Sequence, residues 1–181
     1  NGSFTFTPAT SLANGVYNFA AKATRQGSVS AASTALTVKI DASAPNLVSV
    51  TPTDNSSAVN PSSNIVLTFT EDVLAGSGNI TLWLVSNDSI WRSIAVGSTE
   101  VSIAGAQVTI NPGVDLPAST AFYVTIDAGA LTDLAGNAFT GIVGTTDFNF
   151  TTSAGNIIEG TAGNDILAGT DSNEKIGRAH V

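Results

Sequence analysis

Cysteine is absent from all 181 residues, and histidine occurs once, at His180. Without thiols there is no disulfide framework, no Cys-ligated zinc and no thiol nucleophile. Lys and Arg total 6 against 14 Asp and Glu, a net charge of −8 with only 11% charged residues. Such a balance repels phosphate backbones and anionic lipid surfaces, so nucleic acid is not expected as a partner. No run approaches the roughly 18 apolar residues of a spanning helix, and membrane insertion is not expected either. The opening Asn1-Gly2-Ser3 has no basic or apolar export region and no initiator Met, as expected of a piece cut from a longer chain.

The last six residues, Ile176-Gly177-Arg178-Ala179-His180-Val181, resemble the translation of a DNA-sequencing adapter. They are set aside as an artefact, and the histidine goes with them. Ser–His–Asp catalysis then cannot be assembled, and zinc hydrolysis lacks its usual ligands. Neither a phosphate-cradling loop nor a dinucleotide fingerprint occurs. Glu71 and Asp72 are adjacent acids, but neighbours in an extended chain point apart, so they suit a solvated loop better than acid–base work. The chain is not expected to be an enzyme.

What remains is written in period two. Tyr17, Phe19, Ala21 and Ala23 alternate with Asn18, Ala20, Lys22 and Thr24, and Leu36, Val38 and Ile40 follow after a turn at Gly27. Two strands cannot form a stable domain alone, so residues 1–43 read as the closing hairpin of an upstream sandwich plus a linker. Pro45 ends that linker, because the residue before a proline is held extended. Short strands then recur around Val48 and Val50, Ile65 to Phe69, Ile80 to Leu84, Val108 and Ile110, Phe122 to Ile126, and Phe148 and Phe150. Roughly seven short alternating strands separated by turn signals predict an all-β fold, a two-sheet immunoglobulin-like sandwich over residues 44–153.

Several stretches resemble bacterial Ig-like domains of the surface-layer-protein kind. They are Pro45-Asn46-Leu47-Val48-Ser49-Val50-Thr51-Pro52, the strand from Ile65 with its acidic exit Glu71-Asp72-Val73, and Tyr123-Val124-Thr125-Ile126 followed by Ala130-Leu131-Thr132-Asp133-Leu134-Ala135-Gly136-Asn137. Ig-like folds often place a tyrosine at the corner entering the sixth strand. By spacing from Leu116 that place falls to Phe122, with Tyr123 beside it facing outward, so the corner hydrogen bond is expected to be missing. In the upstream hairpin, Leu12-Ala13-Asn14-Gly15-Val16-Tyr17 keeps such a corner.

Residues 154–175 contain Gly160-Thr161-Ala162-Gly163-Asn164-Asp165-Ile166-Leu167-Ala168. This resembles the calcium-binding nonapeptide G-G-x-G-x-D-x-U-x of secreted repeat-in-toxin proteins, with Thr161 in place of the second glycine. The resemblance implies that Gly160 and Gly163 turn backbone carbonyls toward a hard cation and that Asp165 supplies a charged oxygen. It also implies export by a type I secretion system. A Gly-rich tail that matches by chance is the plain alternative.

Two further places offer oxygens to Ca²⁺: Asp133 and Asn137 around the Gly136 turn, and Asp41 in the linker. The same residues are also ordinary turn formers. Trp83 and Trp91 could stack on sugars if exposed, although such residues more often pack on a neighbouring strand. The sequence therefore predicts a structural or adhesive module of a secreted or cell-surface bacterial repeat protein. Its expected partners are neighbouring Ig-like repeats and a surface glycan or protein receptor. The alternative is an accessory spacer or carbohydrate-binding module of a secreted calcium-dependent hydrolase.

Overall fold

The computed structural model describes residues 5–155, 157–158 and 175–176. It divides into two compact units, Asn1–Ser43 and Ala44–Val181.

In the first unit, β1 (Gly15–Phe19) pairs antiparallel with β4 (Leu36–Ile40), setting Tyr17 opposite Val38. A small hairpin of β2 (Thr24–Arg25) and β3 (Ser28–Val29) lies between them in sequence. Its two turn residues, Gln26 and Gly27, both have positive φ, the geometry that matches the twist of paired strands. The regular strand stops at Phe19, short of the Ala21 and Ala23 that the alternation would have included. The Tyr17 hydroxyl donates to the Ala13 carbonyl at 3.0 Å, closing the expected tyrosine corner.

The second unit contains the sandwich. Its strands are β5 (Leu47–Thr51), β6 (Ser56–Val59), β7 (Ile65–Phe69), β8 (Val73–Ala75), β9 (Asn79–Leu84), β10 (Ser89–Ala95), β11 (Val101–Ala104), β12 (Gln107–Ile110), β13 (Ala121–Ile126), β14 (Leu131–Asp133) and β15 (Asn149–Thr152). One sheet has the order β10-β9-β13-β15-β6 and the other β11-β12-β7-β5. A separate ribbon joins β8 to β14, which interrupt the connections from β7 to β9 and from β13 to β15. Beyond the sandwich, β16 (Ile157–Ile158) pairs in parallel with β17 (Lys175–Ile176).

Period-two alternation puts Ile65, Leu67 and Phe69 on the inner face of one sheet. Ile80 and Leu82, with Phe122, Val124 and Ile126, line the other. Phe148 and Phe150 fill the middle, and Phe122 stacks on Phe150 with ring centroids 5.6 Å apart. Full burial of side chains of this size contributes about 1.5–3 kcal/mol each, which is what holds a disulfide-free sandwich together.

Two local features depart from simple alternation. Val48 is exposed while Leu47 and Val50 pack on the core, because a bulge between Leu47 and Ser49 shifts the face presented by β5. Strand β10 has no alternating signature, since a second bulge between Ile90 and Arg92 turns Trp91 onto the core beside Phe122.

The first strand of the sandwich is divided between the sheets. β5 pairs antiparallel with β7, the chain passes a cis Thr51–Pro52 peptide, and β6 then runs parallel to β15.

Candidate functional site

The turn Asp133-Leu134-Ala135-Gly136-Asn137 is built around a buried carboxylate. Asp133 closes β14 and is only 2% exposed. Its Oδ1 accepts the backbone N–H of Ala135 at 2.9 Å and of Asn137 at 2.7 Å, and its Oδ2 accepts the Asn137 side-chain amide at 2.8 Å. Burial pushes the Asp133 carboxyl up. The hydrogen bonds from the Asn137 side chain and from the backbone of Asn137, Ala135 and Gly136 outweigh that penalty and leave it below its ordinary value. Gly136, with φ of +91°, takes the left-handed position that lets the turn curl round its anion. Asp133 and Asn137 are thus brought together, as carboxylate and donor of one closed turn.

Asp41 belongs to the first unit. Its Oδ2 lies 3.2 Å from Lys39 Nζ, and its Oδ1 accepts the Ser43 backbone N–H at 3.3 Å and the Asn14 side-chain amide at 3.4 Å. Gly160, Gly163 and Asp165 lie outside the described residues.

The two tryptophans have different roles. Trp91 is edge-on to Phe122 at 5.6 Å and belongs to the core. Trp83 is on the opposite face of its sheet, where it stacks on Tyr123 at 5.8 Å with the rings parallel to within 1° and donates from Nε1 to Thr125 Oγ1 at 2.8 Å. Tyr123 faces away from the core yet is only 7% exposed. Burial first, and then the adjacent Asp88 carboxylate that accepts its hydrogen bond, raise its phenol above the ordinary value. Nothing in the alternation of β13 predicted the Asp88 contact, because Asp88 comes from the β9–β10 turn.

Threonines occupy the place of the missing tyrosine corner. Thr152 is buried, and its hydroxyl donates to the Pro117 carbonyl at 2.6 Å while accepting the Thr120 N–H at 2.9 Å. Thr120 Oγ1 in turn donates to the Ala118 carbonyl at 2.9 Å.

One cleft of about 500 Å³ opens between the β8–β14 ribbon and β11, lined by Leu74, Val96, Val101, Ile103 and Leu134. Asp72, from the acidic pair of the loop before β8, is its one charged lining residue. Neither Leu74 nor Leu134 was legible as part of a site, since each reads as an isolated apolar residue in a turn-rich stretch.

Among the described residues these regions offer a hydrogen-bonded Asp133 turn, a filled core and an apolar cleft. No curated protein matches the chain. The family model for the bacterial Ig-like domain matches residues 41–152, more than half of the sequence, and the chain belongs to that family.

Proposed function

We propose that the protein is a non-catalytic structural and adhesive module of a secreted or cell-surface bacterial repeat protein, stiffened by calcium. Domains of its family occur in bacterial surface or extracellular proteins, and the Ig-like sandwich is a non-catalytic fold type. The observation that carries the reading is succession. A strand pair with an Ig-type tyrosine corner at Tyr17 precedes a complete Ig-like sandwich in one chain. Modules arranged in this way serve as spacers that present a surface to a glycan or protein receptor.

Calcium is assigned to Asp41, to Asp133 with Asn137, and to the Gly160, Gly163 and Asp165 repeat. Parallel pairing of Ile157 with Lys175 supports the repeat, because the offset of 18 residues is twice a nonapeptide. Such an offset is what one coil of a parallel β-roll requires, and export through type I secretion goes with that reading.

Thermal unfolding of the whole chain in EDTA and in about 10⁻³ M Ca²⁺, the range in which extracellular modules bind, tests the proposal. A rise of several degrees with calcium is expected, reduced by Asp133→Asn or Asp165→Asn according to which site is responsible. An unchanged transition in both media would sink the calcium role.

A further inference from the structure

The segment containing β6 is held less well than the strands around it. Pro52 and Pro61 are buried, and none of the residues between them is. From that stretch only Val59 packs on the core. Ala58 has φ of +58°, a left-handed conformation that crowds its Cβ and that its methyl side chain cannot offset with a local hydrogen bond. The Ser56 hydroxyl is buried with no hydrogen-bond partner among the described residues. Pairing with β15 also slips, since three steps along β6, from Ser56 to Val59, oppose two along β15, from Phe150 to Thr152.

The contacts that close the segment are few. Asn55 N–H donates to the Asn149 carbonyl at 2.8 Å, Asn149 N–H to Asp54 Oδ1 at 2.9 Å, and Ser153 N–H to the Val59 carbonyl at 2.8 Å. Both ends are anchored separately. Thr51 pairs with Val66 on β7, and the Pro61 carbonyl accepts the Leu116 N–H at 2.9 Å. Lifting residues 53–60 therefore breaks neither the β5–β7 pairing nor the β13–β15 pairing. It withdraws one apolar side chain, relieves Ala58 and returns the Ser56 hydroxyl to water.

We propose that residues 53–60 form a strap that opens and recloses as one unit while both sheets stay folded, alternately covering and baring the outer edge of β15. The strap belongs to the sandwich alone and depends neither on calcium nor on a receptor.

Hydrogen exchange of the whole chain, followed amide by amide by NMR, tests it. Asn55, Asn149 and Ser153 report the strap, and Val124, which donates to the Phe148 carbonyl, reports the sandwich. The three are expected to share one degree of protection and to exchange roughly tenfold or more ahead of Val124. Dilute urea should accelerate Val124 and leave the three nearly unchanged, since lifting the strap exposes little surface. Ser56→Ala removes the unpartnered hydroxyl and Ala58→Gly the left-handed strain, so each should slow the three together by roughly threefold. Val59→Ala should speed them together by roughly tenfold. A common rate and urea dependence for all four amides would overturn the proposal, because the segment would then open only with the whole sandwich. Three reporters that respond separately to the substitutions would overturn it as well, as would exchange slowed by neither Ser56→Ala nor Ala58→Gly.

Discussion

The Thr152 hydroxyl reaches the Pro117 carbonyl at 2.6 Å, across 35 residues of sequence, and closes the corner where a tyrosine commonly stands in this architecture. The same oxygen accepts from the Thr120 N–H. One short side chain on β15 thus anchors the loop that leads into β13. Where the first unit spans its corner with the long arm of Tyr17, the sandwich brings the strand close enough for a threonine to suffice.

Thr152→Val keeps the shape and removes both hydrogen bonds, leaving a buried carbonyl and N–H with one partner fewer. A loss of about 1–3 kcal/mol is expected from urea unfolding at constant m. An unchanged midpoint would mean that the loop is held by its backbone alone.

Asp133 ties stability to acidity. Its folded pKa is depressed, so its contribution is complete above the ordinary carboxylate value of about 3.9 and is lost as pH falls through the lower folded value. Asp133→Asn should therefore lower the melting temperature by several degrees at neutral pH, and the gap to wild type should close below about pH 4. A gap that stays constant down to strong acid would show that the charge is irrelevant to the turn.

Tyr123 behaves in the opposite sense. Its folded pKa is raised, so the stability it contributes is present below about pH 10 and is lost as pH climbs through the folded value. In a Tyr17→Phe background, absorbance at the phenolate band follows Tyr123 alone. Ionisation should begin later than for free tyrosine, and Asp88→Asn should bring it earlier. An Asp88→Asn titration curve superimposed on the parent curve would remove Asp88 as a cause.

Phe122 joins Trp91 and Phe150 in the centre of the sandwich and is fully buried. Phe122→Ala is expected to cost about 3–5 kcal/mol, the range for aromatic truncation in a core that cannot collapse. Chemical denaturation gives the value directly, and a cost below about 1 kcal/mol would contradict the packing described.

Gly141 is a backbone counterpart. A Cβ there would stand 2.5 Å from the Ile126 carbonyl oxygen, and its φ of +88° is disfavoured for any L side chain. Gly141→Ala should destabilise by about 1–3 kcal/mol, because the Ile126–Ile142 bridge has to open to admit the methyl. Amide exchange at Ile142 would report that opening, and retained protection would argue against it.

Strand faces were the most legible part of the sequence. The alternation through Ile65, Leu67 and Phe69, or through Phe122, Val124 and Ile126, states which side is buried before any partner strand is known. The bulged strands were not legible, since an extra residue reverses the face part-way along. Val48 and Val50 read as one strand, yet Val48 is exposed while Val50 packs on the core, and Trp91 was left open between stacking platform and core. The Asp133–Asn137 turn announced itself through its composition. The cleft did not, because Leu74, Val101 and Leu134 come from three separate segments and only the sheet order brings them to one place.

The parallel run of β6 against β15 has a mechanical meaning. Tension entering through β5 and leaving through β15 drags these two neighbours past one another. The bonds from Asn55 N–H to Asn149 O and from Ser153 N–H to Val59 O are then stretched together, not peeled apart singly. A hairpin pulled at its open end yields bond by bond at low force, whereas this arrangement yields only when the whole patch slides. The module should therefore resist extension far better than its equilibrium stability alone would indicate, which single-molecule stretching can measure.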